Sequence, residues 1–185
     1  MKHVRNMTLG ELAAYVCTHL RSRGIETVLS GGGCVAIYSD NKYRSYDLDF
    51  IENVPTNRRR ICEILSEIGF VERDRCFVHQ DTEYMIEFPA GPLAVGSEPI
   101  RKIEMMEFAT GLLALLSPTD CVKDRLAAFY HWDDRQCLEQ ALLVTEQTDV
   151  DLEEIRRWSA AERQTAKYKT IRADLARVSK KRMSG

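Results

Sequence analysis

The chain has 185 residues, 44% of them hydrophobic, and a formal net charge of −2 at pH 7. This length and apolar content suit one compact core, and the near-neutral charge argues against a protein that coats nucleic acid by charge alone. No apolar run is long enough to span a bilayer, and the six scattered cysteines without a Cys-x-x-Cys pair fit reduced thiols, so we expect a soluble cytoplasmic protein.

The first part of the chain predicts alternating helices and strands. Capping residues and apolar residues at helical spacing predict helices over residues 8–24, 31–38 and 57–69. Short branched or aromatic runs predict strands over residues 25–30, 46–51, 70–78 and 83–88, with an irregular one over 100–108.

The remainder of the chain is predicted to be helical. Ser117 supplies a cap, Pro118 suits the first helical position, and Asp120 adds an acid to the first turn. Helices are predicted over residues 118–131, 133–146 and 151–159, with a charged segment after them. Mixed strands and helices followed by helices alone indicate an α+β fold. We expect an α/β core over residues 1–110 and a helical C-terminal region, 111–185, packed on it.

A glycine turn follows the first predicted strand. The apolar residues up to Ser30 break into Gly31-Gly32-Gly33, where the next helix is predicted to open. Backbone N–H groups at such a helix start are well placed to bind a phosphate. A glycine run taken alone is usually only a turn, so its meaning depends on what lies beside it.

Two carboxylates stand on the strand that comes next. Asp47 and Asp49 are two residues apart, so on a strand they share a face, while Leu48 and Phe50 point into a core. Acids are rarely placed on an apolar strand without a partner such as a metal ion. Paired carboxylates beside a phosphate-binding turn indicate metal-dependent phosphoryl or nucleotidyl transfer.

These motifs resemble the nucleotidyltransferase superfamily that includes DNA polymerase beta, and within it the AbiEii-type toxin-like nucleotidyltransferases of prokaryotes. That family has a strand, a Gly-Gly or Gly-Ser turn opening a helix, two carboxylates on the next strand and a third on a later strand. Gly31-Gly32 matches the turn, Asp47-Leu48-Asp49 matches the pair, and Glu87 is the candidate third acid. Residues 117–126 and 132–136 are similar to the helical segment that follows the core in those proteins. The resemblance implies a nucleotidyltransferase-type mixed sheet flanked by helices.

The resemblance also implies transfer of a nucleotide from a nucleoside triphosphate, such as ATP, to an acceptor hydroxyl. Carboxylates suit Mg²⁺ or Mn²⁺, and two such ions activate the attacking hydroxyl and neutralise the leaving pyrophosphate. Asp47 and Asp49 would bridge the metals, and Glu87, with Glu83 as its rival, would bind the metal at the nucleophile and act as general base. The residues expected to bind the triphosphate are Ser30, Gly31, Gly32, Gly33, Arg44, Ser45 and Lys123. Position 32 is glycine where many members carry serine, so its phosphate contact would be through the backbone.

Several of these residues also have a purely structural interpretation. Arg44 can simply form an ion pair with one of the aspartates, and an acid such as Glu87 can face solvent on an edge strand. Lys123 and Arg125 are typical of solvated helix residues. Trp132 ends a predicted helix, where a large ring commonly packs against its neighbours.

The sequence leaves the acceptor open among RNA, protein and small-molecule hydroxyls. The AbiEii-type resemblance implies a toxin or phage-defence role, with an antitoxin as partner and no membrane partner. A tRNA acceptor needs a basic face, for which the candidates are Arg58, Arg59, Arg60, Arg156, Arg157, Lys167, Lys169, Arg172, Lys180, Lys181 and Arg182. Those charges are interleaved with acids, as on an ordinary solvated surface. The alternative is a catalytically inactive module that binds a nucleotide or a partner protein on the same fold.

Overall fold

The computed structural model describes residues 2–183. The helices of this range are α1 (Leu9–Ser22), α2 (Gly31–Tyr38), α3 (Arg58–Ser66), α4 (Pro118–Trp132), α5 (Arg135–Gln147), α6 (Leu152–Ala161) and α7 (Thr165–Met183). The strands of this range are β1 (Thr27–Ser30), β2 (Asp47–Glu52), β3 (Val71–Arg73), β4 (Cys76–Val78), β5 (Met85–Glu87), β6 (Ala94–Val95), β7 (Glu98–Pro99), β8 (Ile103–Phe108) and β9 (Gly111–Leu116).

Most of the strands form one mixed sheet in the order β3-β4-β5-β2-β1-β9-β8, and β6 pairs with β7 in a separate hairpin. β1 runs antiparallel to β2 and parallel to β9, while β2 runs parallel to β5. β1 is buried along its whole length, which is typical of a central strand covered on both faces. The expected α+β fold, a mixed sheet flanked by helices, is confirmed.

The strand directions bring the candidate residues to one end of the sheet. Ser30, the last residue of β1, pairs with Asp49 of β2, and Asp49 pairs in turn with Glu87 of β5. α2 begins directly after Ser30, so its first turn stands at the same end. Leu116, the last residue of β9, also lies there because β9 is parallel to β1.

Capping chemistry sets the helix boundaries. The Thr8 hydroxyl accepts from the Glu11 N–H, and the Glu11 carboxylate accepts from the Thr8 N–H, which completes a capping box at the start of α1. Ser117 caps α4 in the predicted way. Asp133 is predicted to begin the next helix as part of its cap and first turn, but it takes a left-handed φ of 55° and ends α4, so that Asp134 is the cap of α5.

Two parts of the sheet differ from the prediction. The single strand predicted over 70–78 is a hairpin, because Asp74 and Arg75 take left-handed φ values of 48° and 73° and turn the chain between β3 and β4. β9 was not predicted, since its apolar run lacks the alternation of a half-buried strand. β9 lies between β1 and β8, so the sheet extends to Leu116, past the predicted core boundary at residue 110.

The helical region packs on the sheet as part of the same core. α2 contacts β2 on one side and α4 and α5 on another, and α7 contacts α5 and α6. Trp158 of α6 is fully buried and stacks on Tyr130 of α4, with ring centroids 5.7 Å apart. All six cysteines are free thiols. Between residues 2 and 183, no helix has the length and apolar character needed to cross a membrane.

Candidate active site

The carboxylates of β2 and β5 lie side by side at the end of the sheet where α2 begins. Leu48 and Phe50 are fully buried, whereas Asp47 and Asp49 alternate with them on a partly exposed face, as the strand pattern predicted. The parallel pairing of β2 with β5 makes Asp49 the direct neighbour of Glu87. The fold therefore brings together the three acids that the sequence singled out.

Burial and the neighbouring negative charges raise the pKa values of both aspartates. Burial, followed by the negative charge of Glu87, raises the pKa of Asp49 to about 6, although the positive charge of Arg125 opposes the shift. Burial and then Glu87 also raise the pKa of Asp47. A positive ion between these carboxylates would relieve their mutual repulsion.

The donor atoms at this position suit a hard divalent cation such as Mg²⁺, which prefers carboxylate oxygens and retains water ligands. In the part of the chain that the structure describes, no group of three His, Cys, Asp or Glu side chains is already arranged to hold a metal ion. Asp47 and Asp49 thus form a two-carboxylate donor set. Glu87 lies beside them, and one of its oxygens accepts a hydrogen bond from Cys76.

Cys76 is a neighbour of the site that the sequence did not reveal. Its Sγ lies 2.9 Å from Glu87 Oε1 and donates to it across the β4–β5 pair. This hydrogen bond, with burial, raises the pKa of Cys76 to about 11, so the thiol remains a donor at neutral pH. Glu83, the rival third acid, precedes β5 and lines a separate cavity of about 260 Å³ with Arg44.

The first turn of α2 packs tightly against the aspartates. Gly31 has a left-handed φ of 65°, and a Cβ built on it would lie 2.1 Å from Asp49 Oδ2. A Cβ on Gly32 would lie 2.9 Å from Ser45 Oγ, and one on Gly33 would lie 3.3 Å from the Asp47 backbone oxygen. Glycine at position 31 therefore allows the helix to start this close to β2, and positions 32 and 33 leave little room for a side chain.

The N–H groups of that turn have no side-chain cap. Ser30 occupies the cap position of α2 without a capping hydrogen bond, because its hydroxyl donates instead to the Asp49 backbone oxygen at 3.2 Å. Ser45 is also used locally, since its hydroxyl donates to the Asp47 backbone oxygen and accepts from the Asp47 N–H. The free donors at the helix start are of the kind that binds phosphate.

The predicted cations are placed differently from the carboxylates. Lys123 Nζ is paired with Asp120 at 2.8 Å and with Glu154 at 3.2 Å, and its side chain is only 7% exposed. It lines a charged cavity of about 870 Å³ that contains none of the three acids. Arg44 is exposed and, among the described residues, forms no ion pair with the aspartates, so its structural ion-pair interpretation is wrong.

Arg125 is the cation whose charge reaches Asp49. It lies two residues after Lys123 on α4, and positions two apart on a helix point in nearly opposite directions. Its side chain is 18% exposed, donates to Asp124 through Nε at 3.0 Å and lies against Gln140 of α5. Lys123 and Arg125 are both candidate cations in the sequence. Only the tertiary packing of α4 determines which of the two acts on Asp49.

The structure also differs from the prediction at the end of α4. Trp132 does not pack against its neighbours, because 77% of its surface is exposed. The expectation that this ring closes a helix end by packing is therefore wrong.

The fold is similar to that of nucleotidyltransferase-like proteins of known structure. Solved structures with the same architecture include an antigenic nucleotidyltransferase-like protein from Paracoccidioides brasiliensis, with TM-score 0.59 and 13% identity over 91% of this chain and 92% of that protein. The antibiotic-resistance factor ANT(2'')-Ia is similar in its solution structure, with TM-score 0.51 and 16% identity over 89% of this chain and 95% of that one.

The crystal structure of ANT(2'')-Ia in complex with adenylyl-2''-tobramycin is also similar, with TM-score 0.51 and 15% identity over 80% of this chain and 93% of that one. No protein-family model matches the sequence. No curated protein matches it either. The likeness therefore lies in the fold.

Proposed function

We propose that the protein is a metal-dependent nucleotidyltransferase that moves a nucleotide from a nucleoside triphosphate to an acceptor hydroxyl. The observation that carries this proposal is the juxtaposition of the uncapped start of α2 with Asp47, Asp49 and Glu87 at one end of the sheet. One element supplies donors for phosphate oxygens, and the other supplies ligands for a cation. The nucleotidyltransferase-like neighbours support the same activity.

Each residue of the site has a distinct part in this reaction. Asp47 and Asp49 would hold Mg²⁺, which when bound supplies positive charge against the triphosphate. The N–H groups of residues 31–33 bind phosphate oxygens, and the positive charge of Arg125 acts on Asp49. The acceptor oxygen attacks the α-phosphorus, a new O–P bond forms, and the bond to the leaving pyrophosphate breaks. Glu87 accepts the proton of the attacking hydroxyl.

The surface charges bear on the choice of acceptor. Many basic side chains that a tRNA would need are already in ion pairs, among them Arg58 with Glu72, Arg59 with Glu63, Arg156 with Glu153, Arg157 with Glu98 and Lys167 with Asp133. We therefore favour a small-molecule or protein hydroxyl over tRNA. The neighbour bound to an adenylylated aminosugar makes aminoglycosides the first small molecules to test. An AbiEii-type toxin role and an antitoxin partner stay predictions.

The direct test is label transfer. Purified protein is incubated with Mg²⁺, each α-labelled nucleoside triphosphate in turn, and an aminoglycoside mixture, total RNA or a cell lysate. Transfer of label that is abolished by Asp49→Ala and retained by Glu83→Gln supports the enzyme, because Glu83 is an exposed acid outside the carboxylate group.

The same experiment distinguishes the inactive alternative. Absence of label in every acceptor, together with nucleotide binding that Asp47→Ala and Asp49→Ala leave unchanged, would establish a binding module rather than a transferase. Metal chemistry requires the carboxylates, whereas binding through the helix start does not.

A further inference from the structure

Ser45 has a hydroxyl that is bonded to the main chain of a candidate metal ligand. The residue is buried, at 8% exposure. Its Oγ donates to the Asp47 backbone oxygen at 3.0 Å and accepts from the Asp47 N–H at 3.3 Å. A hydroxyl has a single proton, so while this bond is made Ser45 has none to donate to a phosphate oxygen.

These two bonds act on a residue at the edge of the strand ladder. Asp47 is the first residue of β2 and pairs with Met85 of β5. The pairing of β2 with β1 ends at Asp49 and Ser30, so Asp47 lies two residues beyond it. The N–H and the C=O of Asp47 flank its Cα, and holding both on one oxygen fixes the direction of the Cα–Cβ bond. Ser45 therefore orients the carboxylate where the β1 ladder does not reach.

The same side chain lies against the start of α2. A Cβ built on Gly32 would lie 2.9 Å from Ser45 Oγ and 3.5 Å from Ser45 Cβ, and one built on Gly33 would lie 3.3 Å from the Asp47 backbone oxygen. One small residue thus contacts both the turn proposed to bind phosphate and the aspartate proposed to bind the metal ion.

The loop that carries Ser45 is hydrogen-bonded on both sides of it. Ser39 is fully buried, and its hydroxyl accepts from the Tyr43 N–H at 3.2 Å while donating back to α2 at 3.3 Å. After Ser45, the Tyr46 backbone oxygen accepts from the Met85 N–H at 2.8 Å. The position of Ser45 is therefore set by contacts with both α2 and β5.

We propose that Ser45 is a positioning residue, which holds the Asp47 carboxylate in the orientation that binds the metal ion beside the start of α2. This inference rests on the proposed function, which assigns the metal ion to Asp47 and the phosphates to α2. Loss of a side chain that orients a metal ligand costs roughly 10- to 100-fold in metal affinity or activity. Ser45→Ala removes both bonds to Asp47 and retains the Cβ, so it frees the carboxylate without adding bulk.

The test measures metal binding directly, from the loss of the electron paramagnetic resonance signal of free Mn²⁺ as protein is added. Mn²⁺ accepts carboxylate ligands as Mg²⁺ does. Ser45→Ala should bind Mn²⁺ about tenfold more weakly than wild type, and Ser45→Thr, which keeps the hydroxyl, should recover most of the affinity. In the label-transfer assay, Ser45→Ala should need about ten times more Mg²⁺ for its half-maximal rate.

Ser39→Ala is the matched control, because it removes a buried hydroxyl of the same loop that is not bonded to Asp47. Each variant loses two hydrogen bonds, so urea denaturation should show similar losses of stability in both. Only Ser45→Ala should lose Mn²⁺ affinity. Equal weakening of Mn²⁺ binding in the two variants would show an effect of general loop integrity and would overturn the inference.

The Asp47→Ala variant separates failure of the inference from failure of the proposed function. If Asp47→Ala weakens Mn²⁺ binding and Ser45→Ala does not, the inference is overturned and the proposed function stands. Ser45→Thr that is as stable as wild type but binds Mn²⁺ as weakly as Ser45→Ala would also overturn it. If wild type binds no Mn²⁺ and transfers no label, the proposed function fails and this inference fails with it.

Discussion

At the scale of single residues, the position of the third carboxylate depends on a thiol. Cys76 donates to Glu87 Oε1 at 2.9 Å, and such a partner orients a carboxylate that must bind a metal or accept a proton. We expect Cys76→Ala to lower kcat about tenfold with little change in the nucleotide KM, since partners of this kind typically contribute 10- to 100-fold.

Cys76→Ser is the matched variant, because its hydroxyl restores a donor at nearly the same place. It should recover most of the activity in the label-transfer assay. Wild-type kcat in Cys76→Ala would show that the thiol only fills space.

Gly31 is the glycine whose replacement should cost most. Its φ of 65° is unfavourable for any side chain, and its Cβ would lie 2.1 Å from Asp49 Oδ2. Gly24 has a similar φ of 79°, but a Cβ there would meet nothing closer than 3.8 Å. We therefore expect Gly24→Ala to lower the free energy of unfolding by about 1 kcal/mol and Gly31→Ala by about 3 kcal/mol.

Urea denaturation of both variants separates backbone strain from the clash with Asp49. Equal losses of unfolding free energy in Gly24→Ala and Gly31→Ala would mean that the contact with Asp49 adds no cost. Replacement of Gly32 is intermediate in this view, because its Cβ would meet the Ser45 hydroxyl at 2.9 Å. Gly32→Val should still reduce activity more than Gly32→Ser.

At the scale of elements, an ion-pair network joins α4 to α6. Glu154 accepts from Lys123 and from Arg157. The bond from Arg157, and after it that from Lys123, lowers the pKa of Glu154 to about 2. The folded state therefore favours the charged carboxylate, and its contribution to stability is present at neutral pH and is lost as the pH falls from about 4 towards 2.

We expect Glu154→Gln to lower the free energy of unfolding at pH 7 by about 1 kcal/mol after allowance for solvent screening. The difference from wild type should shrink to nothing near pH 2. Glu153→Gln is the control, since Glu153 is 79% exposed and should leave stability unchanged. A loss in Glu154→Gln that stays constant with pH would contradict the assignment.

The sequence predicted those elements of the site that depend on local pattern. The alternation of acids with Leu48 and Phe50 was sufficient to place Asp47 and Asp49 on one face of β2, and the glycines marked the start of α2. β9 could not be recognised, because a continuous apolar run fits a buried strand and a buried helix equally well.

The remaining site residues depend on contacts between distant parts of the chain. The choice of Arg125 over Lys123 depends on tertiary contacts, because Lys123 pairs with Glu154 of α6 whereas Arg125 lies against Gln140 of α5. Cys76 reaches the site only through the β4–β5 pairing. No spacing within the sequence encodes these relations.

At the scale of the whole molecule, the sheet and the helical region share one hydrophobic cluster. We therefore expect a single cooperative unfolding transition rather than two. In Trp132→Phe the only remaining tryptophan is Trp158, which reports on the helical region. Its fluorescence and the far-ultraviolet circular dichroism should give the same urea midpoint, and separate midpoints would show two independently stable units.

The uncapped start of α2 also affects how the protein tolerates mutation. In the proposed function its phosphate donors are main-chain N–H groups, which every residue except proline retains. Substitution by any residue other than proline keeps the donor, but it can block access by adding bulk against Asp49 and Ser45. The binding chemistry of this turn is thus insensitive to the polarity of the side chain, so variation at residues 31–33 should be limited by side-chain volume and, at residue 31, also by the left-handed backbone.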